Sequence, residues 1–304
     1  MKYINLAYKG KNNWWRFILV IIITFIGWQI IGIIPLALTA NIMAPNPQAF
    51  ERVFNHIAQG KDINANLYLI LIISTFLFGL LALLIAVRKI HQRSIKSLLT
   101  SRKNMDWKRV FFAFAVLFSV SSILLLLDYY LSSDTYVWNF KPIPFSILVV
   151  ISFLFLPLQT SFEEILFRGY LMQSIGILFK NTLVPLIFTS VVFGLMHGAN
   201  PEVDKLGYAI FIYYIGTGLF FGITTLMDEG LELSLGLHAA NNIVAAILVT
   251  TDWTVFKTDA LLLDTSEPSL GFQAFLPVFV LYPILLFVFS KKYKWTNWRK
   301  HLIE

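Results

Sequence analysis

Apolar residues in this chain come in long uninterrupted blocks, and the length of those blocks restricts the fold more than any other feature. A helix needs roughly 20 apolar residues to cross a bilayer. Blocks of that order lie near 17–40, 67–87, 110–131, 144–178, 182–197, 208–227, 232–250 and 272–290. The fourth exceeds one crossing and the fifth is short. Backbone groups in lipid must be satisfied internally, so only helices or closed barrels can span it, and the alternating pattern of barrel strands is absent. The blocks predict an all-α, polytopic integral membrane protein with about eight transmembrane helices; seven plus a re-entrant piece is the alternative. Only 13% of the residues are charged, against about 25% in a soluble domain. The first block is read as a span and not a signal peptide, because its apolar run exceeds a typical h-region and a small-x-small cleavage site is poor.

The placement of charge orients these spans. Of 24 Lys and Arg, only Arg52, Lys61, Lys141, Lys205 and Lys257 fall in segments on one side. The rest cluster at both chain ends, in the 88–109 loop and around Arg168 and Lys180. Excess Lys and Arg marks the cytoplasmic side, so both termini are expected there, in a bacterial inner (cytoplasmic) membrane. The same bias accounts for the net charge of +7 without nucleic acid: the basic loop is expected to lie against anionic headgroups. Trp14, Trp15, Trp295 and Trp298 fit an interfacial aromatic belt. We divide the chain into N-terminal helices with the basic loop (1–140), a core (141–255), and a C-terminal loop, last helix and basic tail (256–304).

Against this background, charged and polar side chains inside the apolar blocks need a reason. Glu163, Glu164 and Arg168 stand within LPLQTSFEEILFRGYLM. A charge at bilayer depth costs roughly 2.5–3.5 kcal/mol on insertion scales. Glu164 and Arg168 are i,i+4 neighbours on a helix and can pair, whereas Glu163 points about 100° away and lacks that partner. One carboxylate is then a structural partner and the other is free to act as a general base. His197 lies in VVFGLMHGAN, and His238 and Asn242 share a helix face in LGLHAANN. If the chain turns at residues 180–182, Glu163 and His197 each sit roughly 25 Å from the turn, at the same depth on adjacent helices. A carboxylate and an imidazole can polarise one water, and a His/Asn pair can hold a tetrahedral oxyanion, which suits amide hydrolysis. For each motif taken singly, a helix-end salt bridge, an interfacial histidine or interhelical hydrogen bonding is the bland alternative. The chain has no cysteine, HExxH, G-x-S-x-G, GxxxxGK[ST] or GxGxxG, so thiolate, zincin, serine-hydrolase, P-loop and Rossmann chemistries find no foothold. Two histidines and a glutamate (Glu163, His197, His238) are also a set that zinc or another divalent metal accepts. The favoured hydrolytic chemistry requires no cofactor.

Taken in order, Glu163-Glu164-x-x-x-Arg168, Phe193-x-x-x-His197 and His238-x-x-x-Asn242 resemble the three motifs of the CPBP family, the CAAX proteases and bacteriocin-processing enzymes also called Abi proteins. FRGYL after the first motif and HGAN in the second add to the resemblance, which covers roughly residues 145–250. It implies an eight-helix intramembrane endopeptidase similar to type II CAAX prenyl endopeptidases, cleaving a membrane-associated peptide or protein by CAAX-type or bacteriocin/leader-type processing. It further implies that Glu163 activates water with His197, that His238 and Asn242 form the oxyanion site, and that Arg168 holds Glu164. By resemblance such enzymes open to the cytoplasm, whereas the charge bias raises Glu163 and His197 toward the outer half of the membrane. The alternatives are a non-catalytic membrane scaffold of the same fold and a proton-coupled transporter using Glu163 and His197 as a relay. The latter needs an internal repeat that the sequence does not show.

Overall fold

The computed structural model describes residues 2–304. Six helices are long and apolar enough to cross a membrane: α1 (Trp14–Met43), α2 (Ala65–Ile90), α3 (Trp107–Leu131), α4 (Pro142–Phe179), α6 (Tyr208–Asp228) and α8 (Phe272–Tyr293). Two of the eight expected segments form shorter helices, α5 (Leu183–Ala199) and the 16-residue α7 (Glu232–Ile247). In α7 the deficit has a local cause. Glu232, Ser234, His238 and Asn242 dilute the apolar character of α7, and all four are buried among other helices. Short helices, such as Phe50–Ala58 and Pro201–Leu206, cap the ends. The protein is an integral membrane protein built from helices. Its outward faces carry apolar side chains such as Ile22 and Phe25 on α1, Leu124 and Leu127 on α3, and Phe279 and Phe287 on α8, all exposed.

The loops gather at two ends of the bundle. At one end the strands β1 (Tyr136–Trp138), β2 (Val249–Thr250) and β3 (Leu262–Asp264) form a small sheet in the order β1-β3-β2. β1 runs antiparallel to β3, with Tyr136 opposite Asp264, and β2 runs parallel to it. Lys257 Nζ reaches the Gln59 carbonyl and Glu202 accepts from the Val255 amide, which ties the other loops of this end to the sheet. At the opposite end the Tyr3 hydroxyl donates to the Leu98 carbonyl at 2.7 Å. The Lys11 amide donates to the carbonyl of His91, and Arg102 pairs with Asp228 and Glu232, each at 3.0 Å.

This second end alters the reading of the basic loop. Arg93 is buried and bonds Ser97 and Gln173. Arg102 and Arg109 both engage the buried Asp228 at the end of α6. Arg93, Arg102 and Arg109 therefore fasten the loop to the bundle, while Arg88, Lys89, Lys96, Lys103 and Lys108 stay exposed. Arginine's planar fork suits the inner role and flexible lysine the outer one. Trp295 also departs from the belt reading. It is buried against Phe289 and its indole N–H points at Asp228 Oδ1, 3.5 Å away, whereas Trp14 remains 75% exposed.

Close helix approach holds the core of the bundle. α7 lies between α3 and α4, and α5 packs against α6. Gly236 of α7 is indispensable to the first contact: a Cβ there would stand 2.1 Å from the Val110 carbonyl oxygen of α3. Gly218 of α6 plays the same part toward α5, where a Cβ would meet the Ser190 carbonyl oxygen at 2.8 Å. Lipid offers helices little hydrophobic reason to associate, so small residues that let backbones approach provide dispersion contact instead.

Candidate active site

The site begins with an irregularity in α4. Pro157 sits inside the helix, where its ring removes one backbone hydrogen bond and clashes with the preceding turn. A π-helical segment, Ile165–Leu171, follows directly after the glutamate pair. Such inserts widen the helix by one residue per turn and cluster at functional sites. Here the widened turn carries Arg168 into the interior, where it is fully buried.

Arg168 has three kinds of partner. Its Nη1 pairs with Glu164 Oε1 at 2.9 Å and its Nη2 donates to the Gly218 carbonyl at 3.1 Å. Its guanidinium lies 4.3 Å from the centre of the Phe193 ring. The missing side chain at Gly218 thus serves two ends, because the close α5–α6 approach also presents that carbonyl to Arg168. The i,i+4 pairing expected for Glu164 and Arg168 is present.

The same Glu164 oxygen receives a second donor. His238 Nδ1 lies 2.9 Å from Glu164 Oε1. A carboxylate paired with arginine only accepts, so the proton of His238 is on Nδ1. The other nitrogen, Nε2, faces Glu163 Oε2 at 3.7 Å. That is too long for a direct hydrogen bond, and at this separation both atoms can reach one water. Glu163 Oε1 meanwhile accepts from Gln159 Nε2 at 3.1 Å, and Gln159 Oε1 accepts from Asn242 Nδ2 at 3.3 Å. A chain of side chains therefore runs from Asn242 through Gln159 and Glu163 toward His238, and on to Glu164 and Arg168.

Glu163, His197, His238 and Asn242 line one cavity of about 380 Å³. His197 ends the regular part of α5. Its Nδ1 donates to the Phe193 carbonyl at 2.8 Å and its ring stacks on Tyr214, 4.5 Å between centroids. Both imidazoles thus give away their Nδ1 protons and keep Nε2 for other partners. Apolar residues of α1 and α2, including Trp28 and Phe76, form one wall, and residues 253–256 of the loop beyond α7 close over the cavity. The loop end that holds the sheet is accordingly the end nearest the site, and the basic termini lie at the other. Among the described residues no group of three or more His, Asp or Glu side chains is arranged to hold a metal ion. Glu163, His197 and His238 line the cavity without forming a coordination set.

Sequence reasoning passed over Gln159. A signal existed: it stands four residues before Glu163 in an apolar block and so shares its helix face. Tyr214 and the 253–256 loop carried no such mark, since aromatic residues abound in every block and the loop meets the cavity only through the tertiary fold.

Comparison with known proteins supplies the remaining context. Uncharacterized protein YyaK of Bacillus subtilis (strain 168) is 28% identical over 275 residues, an alignment covering 90% of each chain. No solved structure matches the chain. Residues 142–244, the stretch from the start of α4 into α7 that supplies both glutamates, Arg168, both histidines and Asn242, match the model of type II CAAX prenyl endopeptidases, Rce1-like. Over that stretch, about a third of its length, the chain is similar to the Rce1-like type II CAAX prenyl endopeptidase domain.

Proposed function

We propose that this protein is an intramembrane endopeptidase that hydrolyses a peptide bond of a membrane-associated peptide or protein with a water held by Glu163. The observation that carries this reading is the approach of Glu163 Oε2 and His238 Nε2, 3.7 Å apart at the edge of a shared cavity. Among the described residues Glu163 has no cationic partner from Lys or Arg, whereas Glu164 is neutralised by Arg168.

In the proposed reaction Glu163 takes a proton from water as the water oxygen bonds to the peptide carbonyl carbon. The carbonyl π electrons move to oxygen, and the Asn242 Nδ2–H that Gln159 does not take stabilises the oxyanion. Collapse of that intermediate breaks the C–N bond, and the proton held by Glu163 passes to the leaving nitrogen. His238 orients the water through Nε2 while Glu164 and Arg168 fix its ring. This shares the water between Glu163 and His238, the imidazole that lies within 4 Å of it. No step requires a metal.

We further propose that all eight helices cross a bacterial cytoplasmic membrane with both termini inside. The alternation of the loops between the two ends of the bundle and the concentration of basic residues at the end holding the termini support this. By the same reading the cavity opens toward the outer half, and the substrate class is a leader-like or other membrane-bound peptide. The test is a comparison of membrane peptides from cells making the wild type or Glu163→Gln. Peptides that accumulate uncut in the variant, with equal amounts of folded protein, support hydrolysis. Identical peptide profiles and an unchanged phenotype in the variant, beside a strong phenotype on full deletion, favour the scaffold reading.

A further inference from the structure

One end of the cavity has no task in the hydrolytic chemistry. Glu202, on the short helix after His197, lines it together with Trp253, Tyr213 and Tyr214. Glu202 Oε1 accepts from the Val255 amide at 3.0 Å, which fastens the covering loop. Its Oε2 is buried and has no hydrogen-bond partner among the described residues, and the indole Nε1 of Trp253 is in the same state. A buried carboxylate oxygen without a donor and a buried N–H without an acceptor are both unfavourable. Two such atoms of opposite character, on two residues that line one cavity, describe the complement of a ligand that brings a donor and an acceptor once the side chains turn toward it.

Charge narrows that ligand further. Glu163 and Glu202 line the cavity and among the described residues neither is paired with Lys or Arg, while Glu164 is matched by Arg168. The cavity thus presents uncompensated negative charge behind low-dielectric walls, which concentrates cations. Tyr213 and Tyr214, which line the same end, add aromatic rings of the kind that favour an ammonium or guanidinium group, one face of Tyr214 being taken by His197.

We propose that this end is a specificity subsite for a basic side chain, lysine or arginine, close to the scissile bond. The substrate's cationic group donates to Glu202 Oε2, and a neighbouring peptide carbonyl accepts from Trp253 Nε1–H. The inference rests on the endopeptidase reading and names its substrate class: apolar, membrane-associated peptides carrying a basic residue at one fixed position.

The experiment uses the full-length protein in detergent with apolar ten-residue peptides, each bearing a single lysine or, at the same place, norleucine. For the wild type, one position should favour lysine over norleucine by about tenfold or more in kcat/KM, the scale of one charge-assisted hydrogen bond. Glu202→Gln should bring that ratio close to one, and Glu202→Arg should turn the preference toward glutamate at that position. A ratio unchanged in Glu202→Gln, with both rates falling together, overturns the proposal and leaves Glu202 as an anchor of the Val255 loop. The absence of any lysine preference in the wild type also overturns it. Equilibrium binding of the same pairs to Glu163→Gln and Glu163→Gln/Glu202→Gln separates the two readings. If the wild type cuts none of the peptides, hydrolysis fails, while the lysine-over-norleucine binding ratio still decides the subsite.

Discussion

His238 and Arg168 meet on a single oxygen of Glu164: Nδ1 of the histidine and Nη1 of the arginine each lie 2.9 Å from Oε1. Three helices are joined there, since Arg168 also holds the Gly218 carbonyl of α6. The glutamate with no Lys or Arg partner among the described residues is its chain neighbour, and the imidazole that Glu164 orients is the one beside Glu163. Fixing a ring through one nitrogen so that the other meets the reacting groups is a recurrent means of setting a histidine's tautomer.

Removing one member of the Glu164–Arg168 pair should be far worse than removing both. Leaving one buried charge uncompensated costs about 3–5 kcal/mol, while replacing a buried pair by apolar residues of similar volume is often near neutral. We expect Arg168→Met and Glu164→Gln each to lower the unfolding midpoint in detergent strongly, and the double variant to recover part of the loss. Additive losses in a double-mutant cycle would contradict this.

His238→Gln should lower kcat by about 10²–10⁴-fold, the contribution typical of a positioned acid–base group, with a smaller change in KM. Rates measured beside a thermal unfolding curve separate this from misfolding. A variant of near-normal kcat would remove His238 from water activation.

Gln159 joins Glu163 to Asn242 through its two amide ends. Gln159→Leu keeps the volume and removes both links, so kcat should fall about tenfold or more, as expected when two groups lose their orientation. Gln159→Glu keeps the acceptor toward Asn242 but sets a second carboxylate against Glu163, and its rate should fall further at neutral pH than in mild acid. Identical pH profiles for the two variants would count against a positioning role.

Gly236→Ala forces a Cβ to within 2.1 Å of the Val110 carbonyl oxygen, where backbone and not a flexible side chain must yield. The expected loss is about 1–3 kcal/mol, the usual range for overpacking. Because α7 carries His238 and Asn242, activity should fall as well. Chemical unfolding in detergent beside a cleavage assay checks both.

A pH dependence of stability comes from the basic end of the bundle. Burial pushes the His91 imidazole below its ordinary value, and Arg93 and Arg16 act in the same direction against the opposing bond to the Lys11 carbonyl. The unfolded chain then binds the proton more readily than the folded one. Stability from this residue is present above the ordinary histidine value of about 6.5 and declines as pH falls from there toward the lowered folded value. The unfolding midpoint of the wild type should drop between neutral and mildly acidic pH by more than that of His91→Asn. Parallel curves would assign the drop to other groups.

The residues 163, 164, 168, 197, 238 and 242 were all legible in the chain, because a polar group in an apolar block is an exception that composition exposes at once. So was the Glu164–Arg168 pair, which helical spacing alone dictates. The order of apolar blocks likewise determined a helical membrane protein, since lipid leaves the backbone few other ways to satisfy itself; the small sheet outside the helices was not legible there. What spacing could not decide was which imidazole stands by Glu163, that Gln159 links it to Asn242, or that arginines of the basic loop turn inward to Asp228. Those relations depend on the rotation of each helix about its own axis and on glycine-mediated approach between helices. Both are settled by packing between segments distant in the sequence, so only the tertiary structure could fix them.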